Sequence, residues 1–174
     1  MKRIAVLLLA CTLAVPALAE RADVQAAFTP GDNIAAMIVQ RIQEARSSVR
    51  MQAYLFTDRR IANALVAALR RGVRVEVIAD GAQEESGGAP YLHALRRAGA
   101  RIFLASGAGA AHNKVVIVDS RGAGATTITG SYNFTRAANA KNAENVVVIS
   151  GSPGLARRFV ENFDYHRGQA RPWP

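Results

Sequence analysis

Along residues 49–56, apolar and polar positions alternate. Met51, Ala53 and Leu55 fall on one side and Arg50, Gln52 and Tyr54 on the other, the period of a strand with one buried face. The period returns in 73–79, where Val73, Val75 and Val77 alternate with Arg74 and Glu76. Residues 24–28, closed by Thr29-Pro30-Gly31, and residues 101–104 read as shorter strands. Between these segments the apolar spacing changes to three and four. Ile34, Ile38, Ile42 and Ala45 share one face of a helix that starts from an Asp32 N-cap and runs to Arg46. Ile61, Leu65, Ala68 and Leu69 line a second helix, opened by Asp58 and stopped at Gly72. Pro90 opens a third, ended by Gly99. Residues 115–118 and 146–149 are unbroken apolar runs, as expected of strands covered on both faces, with a turn at 121–125. Ser152 and Pro153 form an N-cap and first-turn pair for a last helix with Leu155, Phe159 and Phe163 inward. Residues 80–88 read as a mobile polar loop, 106–110 as a flexible linker, and the chain after Gly168 as a frayed tail.

Strands and helices alternate with short connections through the first two-thirds of the chain. This predicts an α/β fold, a mixed, largely parallel sheet flanked by helices on both faces. Residues 1–19 stand apart. Lys2 and Arg3 precede an apolar run at 4–15, and Ala17-Leu18-Ala19 has the small-residue pattern of a cleavage site, so 1–19 reads as a signal peptide and Glu20 as the mature start. The expectation is one domain over 20–174, periplasmic or secreted, with no stable membrane insertion once the signal is removed. A rival reading makes Cys11 a lipidated residue, but leaves a very short apolar segment before it.

The single cysteine, Cys11, departs with that segment, which removes disulfides and thiol chemistry from the domain. The full chain carries a net charge of +9, two charges of which are Lys2 and Arg3. A basic exported domain points to a polyanionic partner. Aromatic residues make up only 6% of the chain, which argues against a base-stacking platform. Three scattered histidines and no cysteine give no metal site of recognisable spacing. Arginine supplies nearly all the positive charge, and Lys114 and Lys141 are the only lysines beyond residue 19. A lysine retained in such a sequence suggests a position that wants a compact point charge.

Lys114 belongs to the stretch richest in chemistry. His112, Lys114 and Asp119 form H-x-K-x4-D, followed by Gly130-Ser131-Tyr132-Asn133-Phe134 and Asn142-Ala143-Glu144-Asn145. On a strand, His112 and Lys114 project to one side and Asp119 to the other, so Asp119 is expected to be structural. Gly130 is expected to let the backbone approach a ligand, Ser131 and Asn133 to supply neutral donors, and Glu144 to orient a histidine. Lys114 and Asn133 suit the equatorial oxygens of a phosphoryl group, and His112 suits attack on phosphorus. Lys141, close in sequence to Glu144, is a further candidate for substrate contact.

These three elements, in this order, resemble the phospholipase D superfamily, and among its members the small secreted nonspecific nucleases with one motif per chain. The resemblance implies a metal-independent hydrolase without a cofactor, acting on DNA and on RNA as a further substrate. His112 would be the nucleophile that becomes a phosphohistidine. Lys114 and Asn133 would bind phosphate with Ser131 in support, and Glu144 would hold His112. It also implies a homodimer, because the family builds each site from two motifs and this chain has one. A single histidine cannot readily both attack phosphorus and protonate the oxygen leaving on the far side, so the chemistry asks for two as well. The rival functions are a phospholipase or phosphatidyltransferase of the same superfamily, and a nucleic-acid-binding protein without catalysis.

Overall fold

The computed structural model describes residues 21–105 and 111–173; the segment read as a signal peptide, Cys11 included, and the linker at 106–110 lie outside them. The elements are β1 (Asp23–Thr29), α1 (Ile34–Glu44), β2 (Ser48–Ala53), α2 (Arg59–Arg70), β3 (Arg74–Asp80), α3 (Gly81–Glu85), α4 (Leu92–Arg97), β4 (Arg101–Ala105), β5 (Val115–Val118), β6 (Thr126–Gly130), α5 (Arg136–Ala140), β7 (Glu144–Ser150), α6 (Pro153–Gln169) and β8 (Arg171–Pro172). The strands form one sheet in the order β1-β7-β6-β5-β2-β3-β4-β8. It is mixed, as the pattern predicts, but parallel pairing is confined to β2-β3-β4, and every other neighbouring pair is antiparallel. The expectation of a largely parallel sheet is corrected there. The helical crossovers that parallel neighbours require end at β4, while β5 and β6 follow one another through the loop at 119–125.

Alternation along the strands sorts the core into two layers. Val49, Met51 and Ala53 of β2, Val75 and Val77 of β3, Val116 and Val118 of β5, and Val146 and Val148 of β7 meet Ile34, Ile38, Ile42, Ile61 and Leu65 of α1 and α2. On the other face Ile78, Phe103, Val115 and Ile117 meet Ala156 and Phe163 of α6. Helix α6 packs on β2, β4, β5 and β6. Toward the β1 edge this second face is open. Val24 and Phe28 are 60% and 59% exposed there, opposite Ile149 and Asn145 of β7.

Local details depart from the pattern in short elements. Asn33, not Asp32, caps α1, accepting from Ala36 N at 3.1 Å, because the Asp32 carboxylate is taken by Phe28 N at 2.8 Å. The stretch read as a mobile loop at 80–88 contains α3, capped by the Asp80 carboxylate on Gln83 N at 2.9 Å. The chain after Gly168 does not fray at once. Strand β8 pairs with Phe103 and Leu104, and Trp173 N donates to Ile102 O at 2.9 Å. The His93 ring, incidental in sequence, packs on the Trp173 ring at 4.5 Å.

Asp119 follows the end of β5 opposite to Lys114, and it is structural, as its register leads one to expect. It adopts φ 43°, and its carboxylate gathers Arg46 N, Ser47 N, Ser47 Oγ and Ser48 N at 2.7–2.9 Å. Burial pushes its pKa up, but the bonds from Ser47 and from the backbone outweigh that and leave it below the ordinary carboxylate value. Asp119→Asn leaves those donors one acceptor oxygen instead of two and removes the charge. We expect a loss of about 2 kcal/mol, read as a fall in Tm of about 6 °C. A depressed folded-state pKa contributes stability above the unfolded-state value and loses it as pH falls through the folded one. The gap between parent and variant should therefore close below about pH 4 in melting curves taken across pH.

Candidate active site

The sheet delivers its chemical groups to one edge. The C-terminal ends of β1, β2, β3 and β6 and the N-terminal ends of β5 and β7 all lie there, since β5 and β7 run opposite to their neighbours. Thr29, Tyr54, Asp80, His112, Gly130 and Glu144 are thereby brought to a single rim.

His112 and Lys114 project together, as alternation requires. His112 is exposed and Lys114 only 7% exposed. Lys114 Nζ lies 3.2 Å from His112 Nδ1 and donates to the His112 carbonyl oxygen at 2.6 Å. Burial pushes the Lys114 ammonium below the ordinary lysine value, and the Glu144 carboxylate works against that shift. Tyr54 backs both groups. Its ring centroid is 4.6 Å from that of His112, Lys114 Nζ stands 5.0 Å over the same ring, and Gln83 Nε2 holds the Tyr54 hydroxyl at 3.1 Å. Asp80 fixes the approach, accepting from Ala111 N at 2.7 Å while its other oxygen caps α3. Asn113 points to the opposite side and donates to Gln52 at 2.7 Å.

The second half of the site is a carboxylate cradle. The Ser131 hydroxyl donates to Glu144 Oε2 at 2.6 Å, and Asn142 Nδ2 donates to Glu144 Oε1 at 3.0 Å. Asn145 N in turn donates to Ser131 Oγ at 3.1 Å, and Thr29 Oγ1 accepts from Glu144 N at 3.1 Å. Glu144 therefore faces Lys114 through space and bonds Ser131 and Asn142; its bonds do not run to His112. The orienting bond expected between Glu144 and His112 is not formed in this arrangement, in which Lys114 occupies Nδ1.

Gly130 has a different reason from the one expected. A Cβ there would overlap the Asn145 carbonyl oxygen and come within 2.8 Å of Val146 Cα. Its missing side chain lets β6 and β7 close on each other, rather than admitting a ligand. Asn133 lies between the buried side chains of Tyr132 and Phe134, and its Oδ1 is buried with no hydrogen-bond partner among the described residues. An amide left so costs about 1–3 kcal/mol, and a half-turn would present Nδ2 at the same place. Lys141, the exposed C-cap of α5, stands outside the hydrogen-bonded cluster.

Sequence reading missed Tyr54, Gln83 and Asp80, and named Asn142 in its motif without giving it a role. The one signal available for Tyr54 was its place on the polar side of the β2 alternation, at the end that meets β5. Among the described residues no group of three or more His, Cys, Asp or Glu side chains could hold a metal ion. No described helix is long and apolar enough to cross a membrane.

The assembled groups are a histidine with one free ring nitrogen, a buried cation, an unpartnered carboxamide and a hydrogen-bonded carboxylate. Together they can bind a phosphoryl group and exchange protons with it. Comparison with known proteins agrees. The family described as "cardiolipin synthase, PLD-like domain" matches residues 38–167. A phospholipase D of Rickettsia conorii is 38% identical over 143 residues, 82% of this chain and 68% of that protein. The mitochondrial cardiolipin hydrolase of Mus musculus is 32% identical over 127 residues, 73% of this chain and 55% of that protein. Among solved structures, Nuc from Salmonella typhimurium, a phospholipase D family member, superposes with a TM-score of 0.78 at 36% identity, over 88% of this chain and 99% of that one.

Proposed function

The chain belongs to the phospholipase D superfamily and is a hydrolase of phosphodiester bonds, and from that premise we propose that it is an endonuclease cutting DNA, and RNA as a second substrate, without a metal ion. The observation that carries the reading is the pairing of His112 and Lys114 with the unpartnered Asn133 carboxamide on one rim of a basic protein.

In the proposed reaction, Lys114 and Asn133 take the non-bridging oxygens of the scissile phosphate. Lys114 then turns away from His112 Nδ1. In the resting arrangement a protonated Lys114 donating to Nδ1 selects the tautomer with hydrogen on Nε2, which cannot attack. Attack needs the hydrogen on Nδ1 and an acceptor for it, the role we assign to Glu144 once Ser131 or Asn142 releases an oxygen. Nε2 forms a bond to phosphorus as the bond to the leaving oxygen breaks, and His112 of a second copy, protonated on both ring nitrogens, gives a proton to that oxygen and becomes neutral. The same second histidine then takes a proton from water. The hydroxide attacks phosphorus, the P–N bond breaks, and His112 is restored.

A homodimer is therefore part of the reading. Support comes from the open face at Val24 and Phe28. It runs along β7 to Asn145, which donates to the Ser131 hydroxyl that holds Glu144, so an apolar surface abuts the site that needs a second copy. For residues 1–19 we propose a signal peptide, and hence a periplasmic or secreted domain over 20–174; this rests on sequence alone.

A phospholipid phosphodiester is the second reading, favoured by relatives named phospholipase D and cardiolipin hydrolase. One experiment separates the readings. Purified protein in excess EDTA is given supercoiled plasmid and, separately, vesicles of cardiolipin and phosphatidylcholine. We expect nicking of the plasmid and no headgroup release. Headgroup release without nicking would establish the lipid enzyme, shifted but uncut plasmid would establish a binding protein, and nicking abolished by EDTA would refute the metal-free reaction.

A further inference from the structure

At the other end of the sheet from His112 the chain forms a cavity of about 670 Å³ that the proposed chemistry does not use. Arg50, Arg74, Arg121 and Arg157 line it, with Asp164 and Pro153. The topology explains the convergence. Arg50 lies in β2, Arg74 opens β3, Arg121 follows β5, and Arg157 lies in the second turn of α6, whose positive dipole end enters through Pro153.

The nearby carboxylates do not neutralise this group. Glu76 pairs with Arg50 at 3.2 Å but is shared with Arg101 at 3.1 Å and Arg167 at 3.3 Å. Asp164 is held by Arg167 at 3.1 Å. The guanidinium groups of Arg74, Arg121 and Arg157 have no hydrogen bond or ion pair among the described residues. Three unpaired guanidiniums around one cavity repel one another. The arrangement becomes favourable when an anion with several acceptor oxygens stands between them, and the planar fork of arginine matches phosphate.

We propose that this cavity is a second phosphate-binding site, and that it holds a backbone phosphate of the nucleic-acid strand away from the bond being cut. Lys114 and Ser120 bracket β5, six positions apart, or about 20 Å at the rise of a strand, so the two sites grip different parts of the polymer. The identity of the ligand as a strand rests on the nuclease reading; the phosphate chemistry does not.

The test uses the full chain carrying His112→Ala, so that bound DNA stays uncut, with and without R74E/R121E. Both arginines are exposed, and R74Q/R121Q replaces the pair should charge reversal prevent folding. Fluorescence anisotropy with a long duplex should show affinity falling about tenfold or more at moderate salt, and a salt dependence shallower by about one to two phosphates. The matched reversal R96E/R97E on α4 should cost much less. In parallel, inorganic phosphate should raise the Tm of the parent and not of R74E/R121E. Loss in the duplex measurement supports the strand. Loss confined to inorganic phosphate keeps the site and assigns it to a free phosphate. No loss in either, or equal loss with R96E/R97E, overturns it. Should the plasmid assay reveal a lipid enzyme, the nuclease reading fails and the phosphate measurement alone decides the cavity.

Discussion

Replacing His112 with alanine should lower phosphodiester cleavage by about 10⁴-fold or more, with the fold intact. The side chain is exposed and stands at the rim, so its removal leaves no cavity in the core. In the proposed reaction what disappears is the nucleophile, and in a shared site also the acid that protonates the leaving oxygen. The double role has a measurable signature. When parent and His112→Ala chains exchange freely in equal amounts, a productive site needs two intact histidines, so activity falls to about one quarter of that of the unmixed parent. Independent sites would leave one half. Substrate binding should survive, because Lys114, Asn133 and the arginines are untouched. A burst experiment should therefore find tight binding without a phosphoryl-enzyme. An activity of one half in the mixture would end the shared-site reading while leaving His112 as nucleophile.

The second large effect is expected far from any reacting atom. V24E/F28E places two charges on the open half of the second sheet face, where the parent side chains are 60% and 59% exposed. Because these side chains are largely in water in the single chain, their loss costs the isolated fold little. Between two copies the same charges would be desolvated without partners, at several kcal/mol, which suffices to split a dimer of ordinary size. Sedimentation should show a dimeric parent and a monomeric variant with an unchanged far-ultraviolet spectrum, and nicking should fall about 10³-fold as the second His112 is withdrawn. A dimeric, active V24E/F28E would move the interface elsewhere. A monomeric variant that nicks at the parent rate would refute the shared site itself.

The alternating frame was readable because each of its elements is long enough to show a period. Residues 49–56 and 73–79 give β2 and β3, and the i, i+4 isoleucines give α1. The rim residues were readable from chemistry and register, and the same parity that joined His112 to Lys114 separated Asp119 from them. What escaped is short or long-range. The stretch Arg-Ala-Ala-Asn-Ala of α5 has no period to detect, and α3 owes its existence to one cap on Asp80. The choice between Asp32 and Asn33 as cap was decided by Phe28 N, a partner outside the helix. Tyr54 meets His112 only because β5 lies antiparallel to β2, a pairing that neither segment announces by itself. Gly130 was identified as essential to the rim but for the wrong neighbour: the backbone it admits is that of β7.

Strand β8 carries a consequence for how copies can add to one another. An eight-stranded sheet with two free edges could recruit further chains at both, and a unit with two such valences polymerises. Here Arg171, Pro172 and the Trp173 amide occupy the rim of β4, and Pro172 offers no amide hydrogen to a newcomer. Among the described residues the long free edge that remains is β1, so any strand addition would have one valence. For the paired copies proposed above, β8 thus acts as a stopper on the β4 side of the sheet.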